Sequence, residues 1–411
     1  MPVIFFTVFI DLLGFGILIP VIPQLLANPG STFYLLPSGM TVEQGYIMLG
    51  FLTAIFPLMQ FLATPILGQL SDKFGRRRIL AISLAGTCFS YVLFALGIIT
   101  KNIPLLFISR AADGITGGNI AVAQASIADI TLPQNRAKNF GLIGAAFGLG
   151  FIVGPYLGGK LSDPAVVSWF NAATPFWFAA ILSGLNVASV LLFFPETLQN
   201  LQHNTKIHFA KSVKNIIAAY SESHLRPLFT TAFLFQGGFA FFVGFFNVYL
   251  IRKFHFNQGN IGDFFAYVGI WIAFTQAVLT RRVASIHSEA NILKVTLLTT
   301  GIAVFLLFIP TTSRQLLLVV PLFAMSNGLS QANLVALISR SAGPEIQGEI
   351  LGINASVQAL AMSVPPMLSG FIAASITPEA PIFVAGVVII FAALSFWLFY
   401  KAKETIINLP N

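Results

Sequence analysis

Charged residues make up only 9% of this 411-residue chain, against roughly a quarter in a soluble domain. That scarcity excludes a water-soluble globular protein. With 56% hydrophobic residues and a mean hydropathy of +0.85, the composition reads as an integral membrane protein. There is one cysteine, Cys88, which excludes an internal disulfide framework and any cysteine-based metal cluster. It lies in an apolar stretch and reads as a small packed residue rather than a reactive thiol. No basic n-region or small-residue cleavage site precedes the first apolar segment, so no cleavable leader is expected. No stretch combines the preceding strand, glycine loop and lysine–serine ending of a nucleotide-binding loop, which argues against a primary pump. The net charge of +8 is spread over short loops, so nucleic acid is not an expected partner. Neither a cofactor nor a metal is expected.

What is present is a series of long apolar runs. A bilayer-spanning helix needs about 20 mostly apolar residues. Twelve such segments fall at about 4–27, 43–69, 79–100, 103–130, 138–160, 174–194, 227–251, 260–280, 291–310, 315–340, 347–374 and 381–400. The expected fold is an all-α membrane protein: an N-terminal six-helix bundle over 1–194, a linker over 195–226, and a C-terminal six-helix bundle over 227–411. Orientation follows from lysine and arginine placement. With both termini inside, only Lys101, Lys160, Arg252, Lys253 and Arg314 fall outside. Arg110 lies within the membrane, and the other 16 of the 22 basic residues fall inside. The positive-inside rule therefore puts both termini in the cytoplasm, and a bacterial inner membrane is the expected setting.

Local signals agree at several helix ends. Thr41-Val-Glu-Gln44 has capping-box spacing. Pro344 and Glu345 suit the first turn of the eleventh helix. Within the linker, Ile207 to Tyr220 reads as an amphipathic helix lying on the membrane face. The two halves also repeat. Gly141, Pro155, Leu157 and Gly159 match Gly352, Pro366, Leu368 and Gly370 at one constant offset. Parallel repeats of this kind place a binding site between the halves, near the bilayer midplane.

Between the second and third segments lies Gly68-Gln-Leu-Ser-Asp72-Lys-Phe-Gly75-Arg76-Arg77-Arg78. Its spacing, G-x-x-x-D-x-x-G-R-R-R, resembles the loop signature of the major facilitator superfamily of transporters. Three further stretches are similar to that superfamily: Arg110-Ala-Ala-Asp113-Gly114 in the fourth segment, Gly150-Phe-Ile-Val-Gly154-Pro155-Tyr-Leu-Gly158-Gly159 in the fifth, and Phe194-Pro195-Glu196-Thr197 after the sixth. The run from Ile127 to Gly159 resembles the tetracycline-proton antiporter group within the drug:proton antiporters. The resemblance implies a latch at Gly68, Asp72, Gly75, Arg76 and Arg77, with Asp72 meeting a helix N-terminus and the arginines pairing with acids such as Asp129. It also implies that Gly150, Gly154, Pro155, Gly158 and Gly159 pack closely and favour exchange over leak. The corresponding loop of the second half has Ser285, Ser288 and Glu289, so one latch is expected, not two.

The intramembrane charges are the candidates for coupling. An aspartate at a helix centre costs ~2.5–3.5 kcal/mol to insert, so Asp11 is expected to face the bundle interior and to bind and release a proton. Arg110 and Asp113, three apart, share a helix face and form either a tuning set with Asp11 or a simple internal pair. Gln24, Gln60, Asn119, Gln124, Gln236, Asn247, Gln331, Asn333, Asn354 and Gln358 are candidate cavity contacts, with interhelical hydrogen bonding as the competing role for each. Several of the 42 phenylalanines are expected to line a cavity for planar or lipophilic compounds. The reading is a monomeric secondary transporter working by alternating access, exchanging protons for a lipophilic organic compound or drug. The alternatives are uptake of a small metabolite by symport or facilitated diffusion, and a non-transporting membrane sensor or scaffold.

Overall fold

The computed structural model of the protein describes residues 2–131, 136–198, 207–221, 225–341 and 347–401. The helix start expected at Pro344 and Glu345 lies outside the described residues. The helices are α1 (Pro2–Leu26), α2 (Val42–Phe74), α3 (Arg76–Ile99), α4 (Ile103–Thr116), α5 (Asn119–Ile130), α6 (Arg136–Leu161), α7 (Thr174–Phe193), α8 (Lys211–Ser221), α9 (Arg226–Phe254), α10 (Gln258–Phe274), α11 (Thr280–Ala284), α12 (Glu289–Leu306), α13 (Ser313–Arg340), α14 (Gln347–Ser375) and α15 (Ala380–Phe399). A π-helical turn, Thr275–Leu279, joins α10 to α11. Among the described residues ten helices are long and apolar enough to cross a membrane.

The fourth expected span is broken. Gly117 and Gly118 separate α4, of 14 residues, from α5, of 12 residues. At about 1.5 Å rise per residue neither piece spans ~30 Å of hydrocarbon alone. Together they do. Helix starts follow their capping residues. Thr41 and Gln44 exchange side-chain and backbone bonds as their spacing predicts, and Asn257 with Asn260 does the same for α10.

Prolines inside the spans leave carbonyls four residues earlier without a backbone donor, and in lipid each must be served from elsewhere. Pro23 frees the Ile19 carbonyl, which accepts from Asn247 Nδ2 of α9 at 3.1 Å. Pro65 frees that of Phe61, which accepts from Ser212 Oγ of α8 at 2.6 Å. Pro321 frees that of Leu317, which accepts from the Tyr267 hydroxyl of α10 at 3.1 Å. Each of these three prolines thus specifies a contact between helices distant in sequence.

The buried core divides into clusters. One gathers residues 219–396 and takes in Ile19. Two others gather residues of α1 to α7, and Phe245, Val248 and Ala373 join them. The seams between first-half and second-half helices are α6 against α10 and α2 against α14. On the face opposite the Gly68 loop these seams are tight. A Cβ on Gly159 would lie 2.9 Å from Gly262 Cα, and one on Gly50 would lie 3.0 Å from Gly370 Cα. Lys160 Nζ pairs with Asp263 Oδ2 at 2.8 Å across the same face, and Arg252 donates to the Tyr46 hydroxyl at 3.0 Å. On the Gly68 face, α8 bridges α2 and α14. The molecule is therefore closed on one face and propped by a linker helix on the other.

Candidate functional site

Asp11 is half-buried on α1. Its Oδ1 accepts from Asn119 Nδ2 at 2.8 Å. Asn119 is the first residue of α5, immediately after the break. The Gly117 carbonyl, freed at that break, accepts from Gln60 Nε2 of α2 at 2.8 Å. Two residues read as cavity candidates, Gln60 and Asn119, thus stabilise the broken helix and tie it to α2 and α1.

Arg110 and Asp113 form their own pair. Arg110 Nη1 lies 2.6 Å from Asp113 Oδ2, and the two residues are 4% and 5% exposed. The guanidinium carbon sits 4.4 Å from the centre of the Phe56 ring, which adds a cation–π contact in a desolvated setting. Arg110 is thus engaged with Asp113 rather than with Asp11. No ion pair of Asp11 occurs among the described residues.

Asp11, Phe15 and Ile19 lie four residues apart and share one face of α1. The Phe15 ring meets those of Phe56 at 5.9 Å and Phe151 at 6.1 Å. Phe151 and Ile19 in turn line an apolar void, with Phe239, Phe242, Val243, Phe246, Phe264, Phe265, Val268, Ile272, Leu307, Val320 and Phe323. The void has walls from α1 and α6 on one side and from α9, α10 and α13 on the other. Eight residues of helix separate Asp11 from Ile19, about 12 Å along the axis. One stripe of α1 therefore runs from a carboxylate without an ion pair to a small apolar void of about 30 Å³, lined mostly by second-half residues.

Two other polar candidates have local partners. Asn333 donates to the Leu329 carbonyl of its own helix at 2.8 Å, and Gln24 accepts from Asn28 at 2.6 Å. Asn247 serves Ile19. Gln236 and Asn354 are buried, Gln331 and Gln358 are partly buried, and Gln124 is exposed.

The stretch expected as a loop is helical except at Gly75, since α2 runs to Phe74 and α3 starts at Arg76, and it is held by first-half residues and the start of the linker. Arg76 reaches Asp72 Oδ1 at 2.7 Å, Asp129 Oδ2 at 3.0 Å and Ser71 Oγ at 2.6 Å. The Glu196 carboxylate accepts from the backbone N–H groups of Arg76 and Arg77 at 2.9 and 3.2 Å. It thereby caps the start of α3, where a negative charge is favoured by the helix dipole. Gly75 has φ +97°, and a Cβ there would lie 2.4 Å from Glu196 Oε2, so only glycine fits the turn. Thr197 Oγ1 donates to Asp129 Oδ2 at 3.2 Å. The Phe194–Thr197 segment and the loop are thus one assembly, a link that spacing alone did not disclose. The residues just before α14, at the start of the eleventh expected span, where the partner expected for Asp72 would fall, lie outside the described residues. In the second half Ser288 caps α12, and Glu289 pairs with Arg340 at 2.7 Å.

The glycine motif of α6 serves two neighbours. Cβ atoms at Gly150, Gly154 and Gly158 would meet α1 at Leu12, Gly16 and Ile17, whereas Gly159 meets Gln258 and Gly262 of α10. The Pro155 ring touches the Gly16 position and its carbonyl the Gly262 position. Close backbone approach of this kind is what small residues permit in lipid.

The comparisons with known proteins agree with this architecture. The family described as Major Facilitator Superfamily matches residues 4–366. The class D tetracycline resistance protein of Salmonella ordonez is 31% identical over 370 residues, covering 88% of this chain and 86% of its own. The class C protein of Escherichia coli is 30% identical over 366 residues, covering 89% and 87%. In fold, the crystal structure of the human organic anion transporter MFSD10 is similar, with a TM-score of 0.73 at 23% identity, covering 96% of this chain and 98% of that one.

Proposed function

This chain belongs to the major facilitator superfamily, and on that premise we propose that it exports a lipophilic organic compound in exchange for protons. The relatives named as tetracycline resistance proteins support a drug-like substrate. The observation that carries the coupling is that Asp11 has no ion-pair partner among the described residues: Arg110 pairs with Asp113, and Asp11 accepts from Asn119. A carboxylate in that position can take a proton without breaking an ion pair.

The void at the far end of the same α1 stripe is lined by apolar side chains but, at about 30 Å³, has room for little more than a water; in this reading it widens as the halves rock, and burial of an apolar body there is favourable by roughly 25 cal/mol per Å² of apolar surface. Substrate in that void and proton on Asp11 act on the same helix. Asn119 links Asp11 to the broken fourth span, so protonation weakens a bond that fixes α5 against α1. The basic face, with the junction of α2 and α3, is the cytoplasmic side in this reading, as the basic-residue count favours. The described conformer then opens toward the cytoplasm, and rocking of the halves about the central site exposes it outside.

The test is transport in proteoliposomes. Purified protein should take a lipophilic drug against its gradient when an opposing proton gradient is imposed, and Asp11→Asn should lose coupled flux while retaining fold by thermal unfolding. Full proton-coupled flux in Asp11→Asn would remove Asp11 from the mechanism. Flux that follows only the substrate's own gradient would replace exchange with facilitated diffusion.

A further inference from the structure

The linker helix α8 has two faces with different tasks. Its inner face holds the two halves. Ser212 Oγ donates to the Phe61 carbonyl of α2 at 2.6 Å, and Asn215 Nδ2 donates to Ser356 Oγ of α14 at 2.9 Å. Just before the helix, Gln69 of α2 bonds both backbone groups of His208, accepting from the N–H at 2.8 Å and donating to the carbonyl at 3.4 Å. Ala219 packs fully buried into the second-half core. Phe209, in the turn just before the helix, and Val213, Ile217 and Tyr220 on its outer face are exposed by 74%, 50%, 63% and 37%. They recur at offsets of four, four and three residues, a continuous apolar stripe. Lys211 and Lys214 are exposed beside it.

Such a stripe is not stable against water, and its surroundings say what covers it. Leu62 of α2, next to the Phe61 that Ser212 contacts, is exposed by 42% on a helix that crosses the membrane. The outer face of α8 thus continues the lipid-facing surface of α2. An apolar stripe flanked by lysines at the membrane boundary matches an interfacial helix on an anionic leaflet.

We propose that α8 is a lipid-reading strap. Its stripe seats at the headgroup–acyl boundary, and Lys211 and Lys214 bind anionic phospholipid headgroups. Because α8 is bonded to α2 and to α14, this docking favours the conformer in which the halves are held apart on the basic face and closed on the other. Closing the basic face brings α2 and α14 together where α8 now lies, so the strap must leave its seat. The proposal rests on the two-sided architecture alone and stands whether or not protons are coupled.

The test uses the full chain in nanodiscs of phosphatidylcholine with or without phosphatidylglycerol. On a Cys88→Ser background, nitroxides at Ser38→Cys and Ser313→Cys report the separation of the halves on the far face. The anionic lipid should enrich the short-distance population. Each lysine near an anionic surface contributes about fivefold, so the pair contributes a shift of up to roughly thirtyfold. Lys211→Gln with Lys214→Gln should remove that lipid dependence. In a parallel sample, a fluorophore at Ile217→Cys should be quenched by nitroxide-bearing lipid. An unchanged lipid dependence in the double variant would overturn the proposal. So would an Ile217 probe quenched only by aqueous agents, or one shielded by a second protein molecule. Because no substrate or proton gradient is involved, failure here leaves the transport reading untouched, and loss of transport would leave this result standing.

Discussion

At the scale of single residues, the site is decided by which charges are already satisfied. Arg110 is the clearest case. Its placement three residues from Asp113 predicts a shared face, and the structure closes the pair at 2.6 Å. The consequence for Asp11 follows from subtraction: with Arg110 engaged, Asp11 is left with an amide partner. Arg76 shows the opposite arrangement, one cation serving three groups. Its guanidinium meets Asp72, Asp129 and Ser71 together, with the side chain only 8% exposed. A lysine has one ammonium and no planar fork, so it cannot hold two carboxylates and a hydroxyl in that geometry. Arg76→Lys should therefore cost about 2 kcal/mol, below the 3–5 kcal/mol for removing a partner from a buried pair outright. Arg78→Lys, at an exposed position, should stay within about 0.5 kcal/mol. Denaturant unfolding of the two variants in detergent checks this. Equal costs would mean that charge alone, and not the fork, holds the loop.

At the scale of elements, the sequence discloses a helix far more readily than an interruption of one. The apolar runs locate the spans because about 20 apolar residues have few other places to be. The Gly117–Gly118 break was written in the chain but hidden by its context, since apolar residues continue on both sides. The decisive signal was Gln60, a polar side chain on a neighbouring span that meets the freed Gly117 carbonyl. The π-turn at Thr275–Leu279 has no comparable signal. Its sequence is ordinary, and the contact of Thr275 with the Gly328 position of α13 belongs to packing rather than to local preference. The prolines were legible in a way that composition alone misses: each one names a carbonyl in need of a donor. The Pro65–Phe61–Ser212 set makes the idea testable. Ser212→Ala should cost about 1–3 kcal/mol, because it leaves a buried carbonyl unserved. Pro65→Ala restores a backbone N–H able to bond Phe61, so in that background Ser212→Ala should cost little. A double-mutant cycle should return a coupling of at least about 0.5 kcal/mol. Additive costs would show that the Ser212 hydroxyl is not standing in for the missing backbone donor.

At the scale of the whole molecule, the two faces of the seam are held by different means, and this sets how the conformers balance. On the basic face the halves meet through α8. On the far face they meet directly, through glycine backbones and through Lys160–Asp263 at 2.8 Å. The sequence could not pair those two residues, since they lie on different halves and come together only when α6 packs on α10. Asp163 adds to the same lock. Its Oδ2 lies 2.6 Å from the Cβ position of Gly259, in the first turn of α10, where an anion is favoured by the helix dipole. The Lys160 and Asp263 side chains are 30% and 51% exposed, so their pair is screened and contributes at most about 1 kcal/mol. That is enough to move an equilibrium by roughly fivefold and too little to freeze it. Asp263→Asn should therefore lower the closed population on this face by up to about fivefold at low salt, read from the distance between labels at Ser38→Cys and Ser313→Cys. The effect should fade in 1 M salt, where the screening length is about 3 Å. Exchanging the charges, with Lys160→Asp and Asp263→Lys together, should recover most of the closed population. If Asp263→Asn leaves the distances unchanged at low salt, the glycine contacts alone hold this face shut, and the ion pair is a consequence of closure rather than one of its causes.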